Sequence, residues 1–170
     1  EKNIIHKSLS HVHSIVEKKN TIPILSNILL EANNASLVLT ATDMDISITE
    51  TINCSVIESG SVTVPAHTLY DIIKKIPDGS EIEFIANDGK KFSIRSSKSK
   101  FSLSCLPKED FPLIELEKLN IEFSIDSQVL LNLLEKTKFA ISNVETRYFL
   151  NGIYFHKKNI NNLDYLCLVA

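Results

Sequence analysis

The sequence predicts an α+β fold, an antiparallel sheet with two helices packed on one face, repeated per domain along its 170 residues. Three observations predict it. A helix-period apolar stripe opens the chain and is followed by four β-rich runs; a second helix then leads into three more strands. Short polar breaks divide the runs, as in a succession of antiparallel strands. The chain also echoes itself. Thr21-Ile22-Pro23-Ile24-Leu25-Ser26-Asn27-Ile28-Leu29-Leu30 is matched by Thr146-Arg147-Tyr148-Phe149-Leu150-Asn151-Gly152-Ile153-Tyr154-Phe155 at an offset of 125 (146 − 21), and Leu37–Ala41 by Leu166–Ala170 at 129 (170 − 41). Solenoid repeats are roughly 20 to 50 residues, so this spacing indicates duplication of a whole domain.

Ile5, Leu9, Val12 and Val16 recur at helical spacing with His6, Ser10, His13, Glu17 and Lys18 on other faces, which predicts an amphipathic helix over 3–18. The expected strands are Asn27–Glu31, Ser36–Thr40, Asp45–Thr51 and Ile52–Glu58. Pro65 opens the second helix, with Leu69, Ile72, Ile73 and Ile76 as its apolar stripe and Pro77-Asp78-Gly79 as its stop. Glu81–Ala86, Lys91–Ser96 and Phe101–Leu106 complete the first set of strands, the first two joined through the hairpin signal Asn87-Asp88-Gly89. Residues 106–119, with Pro107, Pro112 and little periodicity, read as a linker. Ile121–Ile125 then reads as a strand, and Asp126 or Ser127 as the cap of a helix whose buried face is Leu130, Leu133, Leu134, Thr137 and Ile141. The expected domains are residues 1–118 and the opening part of a second, 119–170, with the chain stopping in mid-strand.

Composition narrows the function. At 44% hydrophobic the chain has material for a core, and a net charge of −3 argues against a protein that coats nucleic acid with its whole surface. Cys54, Cys105 and Cys167 are odd in number and lack C-x-x-C spacing, so neither a disulfide framework nor a zinc site is indicated and a reducing cytoplasm is the expected compartment. No apolar run approaches the roughly 18 residues of a membrane span, and no signal peptide precedes the first charges. The sequons at Asn34 and Asn53 read as chance matches.

Four stretches carry a family resemblance: Thr21-Ile22-Pro23-Ile24-Leu25 with Asn27; Leu39-Thr40-Ala41-Thr42-Asp43; Arg95–Leu103 running into Leu106-Pro107-Lys108-Glu109-Asp110-Phe111-Pro112; and Arg147-Tyr148-Phe149-Leu150-Asn151-Gly152. In order and spacing the sequence resembles the β sliding clamp of bacterial DNA polymerase III. The resemblance implies the DNA-clamp fold, with three such domains per subunit and two subunits closed head to tail around duplex DNA. It implies a first domain lacking its first short strand, then part of the second. It also implies a processivity factor, not an enzyme, that tethers the replicative polymerase without sequence preference and needs no cofactor. Its partners would be duplex DNA, the polymerase, clamp-loader subunits and a second copy of itself; no membrane is involved.

A sliding ring needs cations directed at phosphates and no reading of base edges. The cations on the helices and their exits are Lys7, Lys18, Lys19, Lys74, Lys75, Lys136 and Lys138. Lysines on solvated helix faces are ordinary, so the resemblance does the sorting. It places Lys19 where relatives have an Arg before T-x-P-I-L, and His67 where they have an Arg after V-P-A. Both changes weaken the charge. With Lys74, the loop residues Arg147, Tyr148 and Phe149 complete the implied DNA contacts; Phe149 replaces a Tyr and Val144 a Gln. A core role for the two aromatics is the alternative. Lys90, Lys91, Arg95, Lys98, Lys100 and Lys108 form a basic run around a strand whose Phe101 and Leu103 are implied contacts with a neighbouring subunit. Leu150 is the visible member of an implied peptide-binding cleft.

Two other readings remain. Asp43 and Asp45 with His6, His11 and His13 are the residues that could suggest a metallo-hydrolase, but their spacing fits no established site, and no G-x-S-x-G, P-loop or dinucleotide turn is present. A protein-interaction scaffold would share the sheet-edge chemistry without needing cations on every helix.

Overall fold

The computed structural model describes residues 1–17, 21–87, 90–113 and 123–170. The chain divides into two compact units, Glu1–Glu115 and Leu116–Ala170.

In the first unit, helix α1 spans Lys2–Val12 and tightens into a 3-10 turn at His13–Ile15. Its buried face is Ile5, Ser8, Leu9 and Val12, with Val16 buried just beyond, so the apolar spacing sets the side laid on the sheet. A 3-10 turn at Pro23–Ser26 feeds β1 (Asn27–Asn33), followed by β2 (Ser36–Thr42), β3 (Ser47–Asn53) and β4 (Gly60–Pro65). These form one antiparallel sheet in the order β3-β2-β1-β4. Helix α2 (Ala66–Lys75) starts directly after Pro65 and buries Ala66, Leu69 and Ile73. Strands β5 (Glu83–Asn87), β6 (Lys91–Ser96) and β7 (Ser99–Ser104) make a second antiparallel sheet.

Leu9, Ile28, Leu39, Leu69, Ile73 and Ile94 are fully buried in a core joining both helices to both sheets. A smaller cluster forms on the other face of β1, where Ile24, Leu25 and Leu29 meet Phe111, with Leu106 alongside. The T-I-P-I-L and L-P-x-x-D-F-P stretches, some 80 residues apart, are therefore two halves of one packing contact, and large-to-small changes there carry the usual core penalty of about 2–5 kcal/mol.

Several expectations need correction. The strands of this unit form two hydrogen-bonded sheets, where one was expected. Ile52–Glu58 is not a strand beyond Asn53: Ser36↔Asn53 is the last pair with β2, Cys54 N–H makes one further bond to the Ala35 carbonyl in the turn, and Ile57 lies 97% exposed. Conversely β4 was missed, although Ser61-Val62-Thr63-Val64 alternates polar and apolar residues; in the structure Val62, Thr63 and Val64 are all buried. Part of the Asn87-Asp88-Gly89 turn and residues 18–20 and 114–122 lie outside the described residues, including the expected 118/119 boundary and Ile121 and Glu122 of the expected strand; Phe123, Ser124 and Ile125 are not strand.

In the second unit, Asp126 caps α3 (Ser127–Thr137), accepting from the backbone N–H of Gln128 and Val129. Leu130, Leu133, Leu134 and Thr137 are half-buried, as is Ile141 beyond the 3-10 turn Lys138–Ala140. A 3-10 segment, Glu145–Leu150, leads to the hairpin β8 (Tyr154–Ile160) and β9 (Leu163–Val169). The internal repeat is visible element by element: α3 follows α1 by 125 positions (127 − 2), and the 3-10 turn after it follows its counterpart by the same offset (138 − 13).

Candidate nucleic-acid interface

Lys7 on α1 and Lys74 and Lys75 in the last turn of α2 are exposed, because the apolar stripes of both helices occupy the opposite faces. The Lys74 ammonium lies 5.9 Å from the centre of the Tyr70 ring, a cation–π contact that holds the charge at the surface without neutralising it. His67 is half-buried, and its Nε2–H donates to the Val16 carbonyl at 2.9 Å, tying the first turn of α2 to the chain after α1. Lys19 and Lys18 lie outside the described residues.

The sequence reading missed a ring stack between the helices. Tyr70 stacks on His13 with centroids 3.9 Å apart and on His6 at 5.3 Å, and His13 meets His67 edge-on at 5.5 Å. His6 and His13 are seven residues apart, two helical turns, which was the available signal.

In the second unit Arg147, Tyr148, Phe149 and Leu150 are exposed, Tyr148 at 80% and Phe149 at 72%. The two rings meet edge-to-face at 5.9 Å. Their backbone is held from within: Arg147 N–H donates to Val144, Asn151 N–H to Tyr148 and Ser142 N–H to Leu150, each at 3.0 Å. With its nitrogen turned toward them, the Asn151 amide also donates to the Ser142 and Arg147 carbonyls. The loop motif thus fixes a backbone that presents a guanidinium and two rings to solvent. Lys136 is exposed, whereas Lys138 is paired with Glu135.

Strand β7 is an edge, bonded to β6 on one side and to no strand on the other among the described residues. Phe101 and Leu103 are half-buried against the unit's own core, opposite Ile94 and Phe92 of β6, so only part of each is presented outward. Lys100, Ser102 and Ser104 alternate with them on the exposed face. Arg95 is partly matched by Glu83 at 3.4 Å, while Lys90, Lys91, Lys98 and Lys108 are exposed.

The residues that suggested a metal have separate structural duties. Asp43 accepts from the N–H of Asp45 and Ile46, closing a turn in which Met44 has φ +80°. His11 pairs with Glu50 at 2.9 Å, while His6 and His13 belong to the Tyr70 stack. Among the described residues no group of three or more His, Cys, Asp or Glu could hold a metal ion, and no helix is long and apolar enough to cross a membrane.

Residues 1–115 match the family model described as DNA polymerase III beta subunit, N-terminal domain. The chain is 43% identical over 160 residues to the beta sliding clamp of Caulobacter vibrioides strain NA1000 / CB15N, spanning 94% of this chain and 43% of that relative, and 36% identical to that of Proteus mirabilis over the same shares. Solved structures agree: a sliding clamp from Bartonella birtlesii bound to griselimycin superposes with TM-score 0.91 at 45% identity over 99% of this chain and 44% of its own. The Caulobacter crescentus polymerase III beta subunit gives 0.92 at 42%, over 98% and 45%. The architecture is thus that of an α+β clamp domain. The chain belongs to the DNA polymerase III beta subunit family and spans less than half the length of these relatives.

Proposed function

We propose that this chain forms the first domain, and the opening part of the second, of a sliding clamp: a non-catalytic processivity factor that encircles duplex DNA in the cytoplasm and tethers the replicative polymerase. Phosphates would be met by Lys19, His67, Lys74 and Arg147, with Tyr148 and Phe149 leaning on the duplex. The β7 edge, with Phe101 and Leu103, would pair with a second subunit, and Leu150 would line a cleft for polymerase and clamp-loader peptides. The observation that carries this reading is the surface placement of Arg147, Tyr148 and Phe149 on a self-braced loop of a chain belonging to this family. A guanidinium and exposed rings can hold a nucleic-acid backbone without reading sequence. The test uses the full-length protein carrying this chain, loaded on nicked circular duplex. It should stay on the circle and run off once the circle is linearised; equal loss from both forms would overturn the reading.

A further inference from the structure

The tautomers of two histidines in the α1–α2 stack are set by the carbonyls they face. A carbonyl accepts only, so the proton of neutral His13 sits on Nδ1, which donates to the Ser10 carbonyl at 3.2 Å. That of neutral His67 sits on Nε2, donating to Val16. Each ring is then left with a bare lone pair, at His13 Nε2 and His67 Nδ1, and neither atom has a partner among the described residues. A phosphate oxygen is also an acceptor, so neither neutral ring can bind one. On protonation both nitrogens become donors and both rings gain a positive charge.

We propose that His13 and His67 form a phosphate contact on the duplex backbone that engages only when the rings are protonated. This rests on the clamp reading above. Tyr70 stacks face to face on His13, which holds the His13 ring in place. The ionisable groups around the pair are few. Helix α2 brings Tyr70, Lys74 and Asp71, and Glu17 follows the Val16 carbonyl. On α1 His6 is the next ring in the stack, its Nε2 enclosed without a partner among the described residues, with Asp78 nearby but paired to Lys2. Glu50 of β3 is taken by His11, and β2 and β4 carry no ionisable side chain. With Lys74 the only described lysine over this stack and the acids there few or paired, an anion bridging the two rings would meet a donor at His13 Nε2 and at His67 Nδ1 once both are protonated.

The test is binding of the 170-residue chain to a short linear duplex across a salt series at about pH 8 and about pH 5.5, the range over which histidine changes charge. The plot of log affinity against log salt should steepen at the lower pH by about 0.9 for each histidine that neutralises a phosphate. The steepening should vanish in the His13→Gln/His67→Gln variant and persist in His11→Gln. In the unaltered chain, ring proton resonances of His13 and His67 should titrate at higher pH when duplex is added, while those of His11 and His156 stay put. A salt slope indifferent to pH, a steepening that survives in the double variant, or His13 and His67 titrations unmoved by duplex would each overturn the inference and leave the clamp reading standing. No duplex binding at low salt at either pH would overturn both.

Discussion

The Thr63 hydroxyl donates to the Leu106 carbonyl across 2.6 Å and accepts the Leu106 N–H at 3.1 Å, so one side chain closes a backbone-like pair between β4 and the chain leaving β7. Asn27 adds a third bond, its amide donating to the same oxygen at 3.1 Å. Thr63 is fully buried, and the network ties the four-stranded sheet to the segment that packs Phe111 beneath β1.

Replacing Thr63 by Val keeps the shape and strands three polar groups, at a cost of about 1–3 kcal/mol. Urea unfolding of the variant should show a lower midpoint with an unchanged slope. A change under about 0.5 kcal/mol would show that the network adds little to stability.

Lys2 is buried while its partner Asp78 is exposed, and the pair fastens the start of α1 to the turn after α2. The hydrogen bond and charge of Lys2 hold the Asp78 carboxyl below its ordinary 3.8. A carboxyl depressed in the folded state stabilises above its unfolded pKa and loses that contribution as pH falls through its folded value. Asp78→Asn should therefore be less stable than the unaltered chain at neutral pH, the two stabilities converging under strongly acid conditions. Parallel stability curves across that range would contradict this.

Helix α3 depends on its cap. Asp126→Ala leaves the Gln128 and Val129 N–H groups without that acceptor and should cost about 1 kcal/mol. Amide exchange should accelerate along α3 and remain unchanged in α1.

Much of the fold was legible in local signals. Pro65 and Pro77-Asp78-Gly79 bracket α2, the limits of β6 coincide with the expected run, and Asp126 is the cap. What failed depended on pairing. Ile52–Glu58 has strand-like composition, but β2 runs out at Ser36; β4 alternates in sequence, yet its polar Thr63 is buried as well as Val62 and Val64, because it serves Leu106. At the candidate site, the exposure of Tyr148 and Phe149 follows a motif the sequence shows, whereas the Tyr70 stack joins residues of two helices and needed tertiary structure to see.

Lys74 and Arg147 should act as phosphate contacts without base preference. Lys74→Ala or Arg147→Ala should weaken duplex binding uniformly across sequences and lower the salt slope by about 1 each. A loss confined to one sequence would point to base reading instead.

The most direct measurement is the affinity of the 170-residue chain for two linear duplexes of unrelated sequence over a salt series. The clamp account expects weak binding, equal for both sequences and falling steeply with salt, because a ring's hold comes from encirclement and not from affinity. Nanomolar binding at physiological salt, or a clear preference for one sequence, would contradict it.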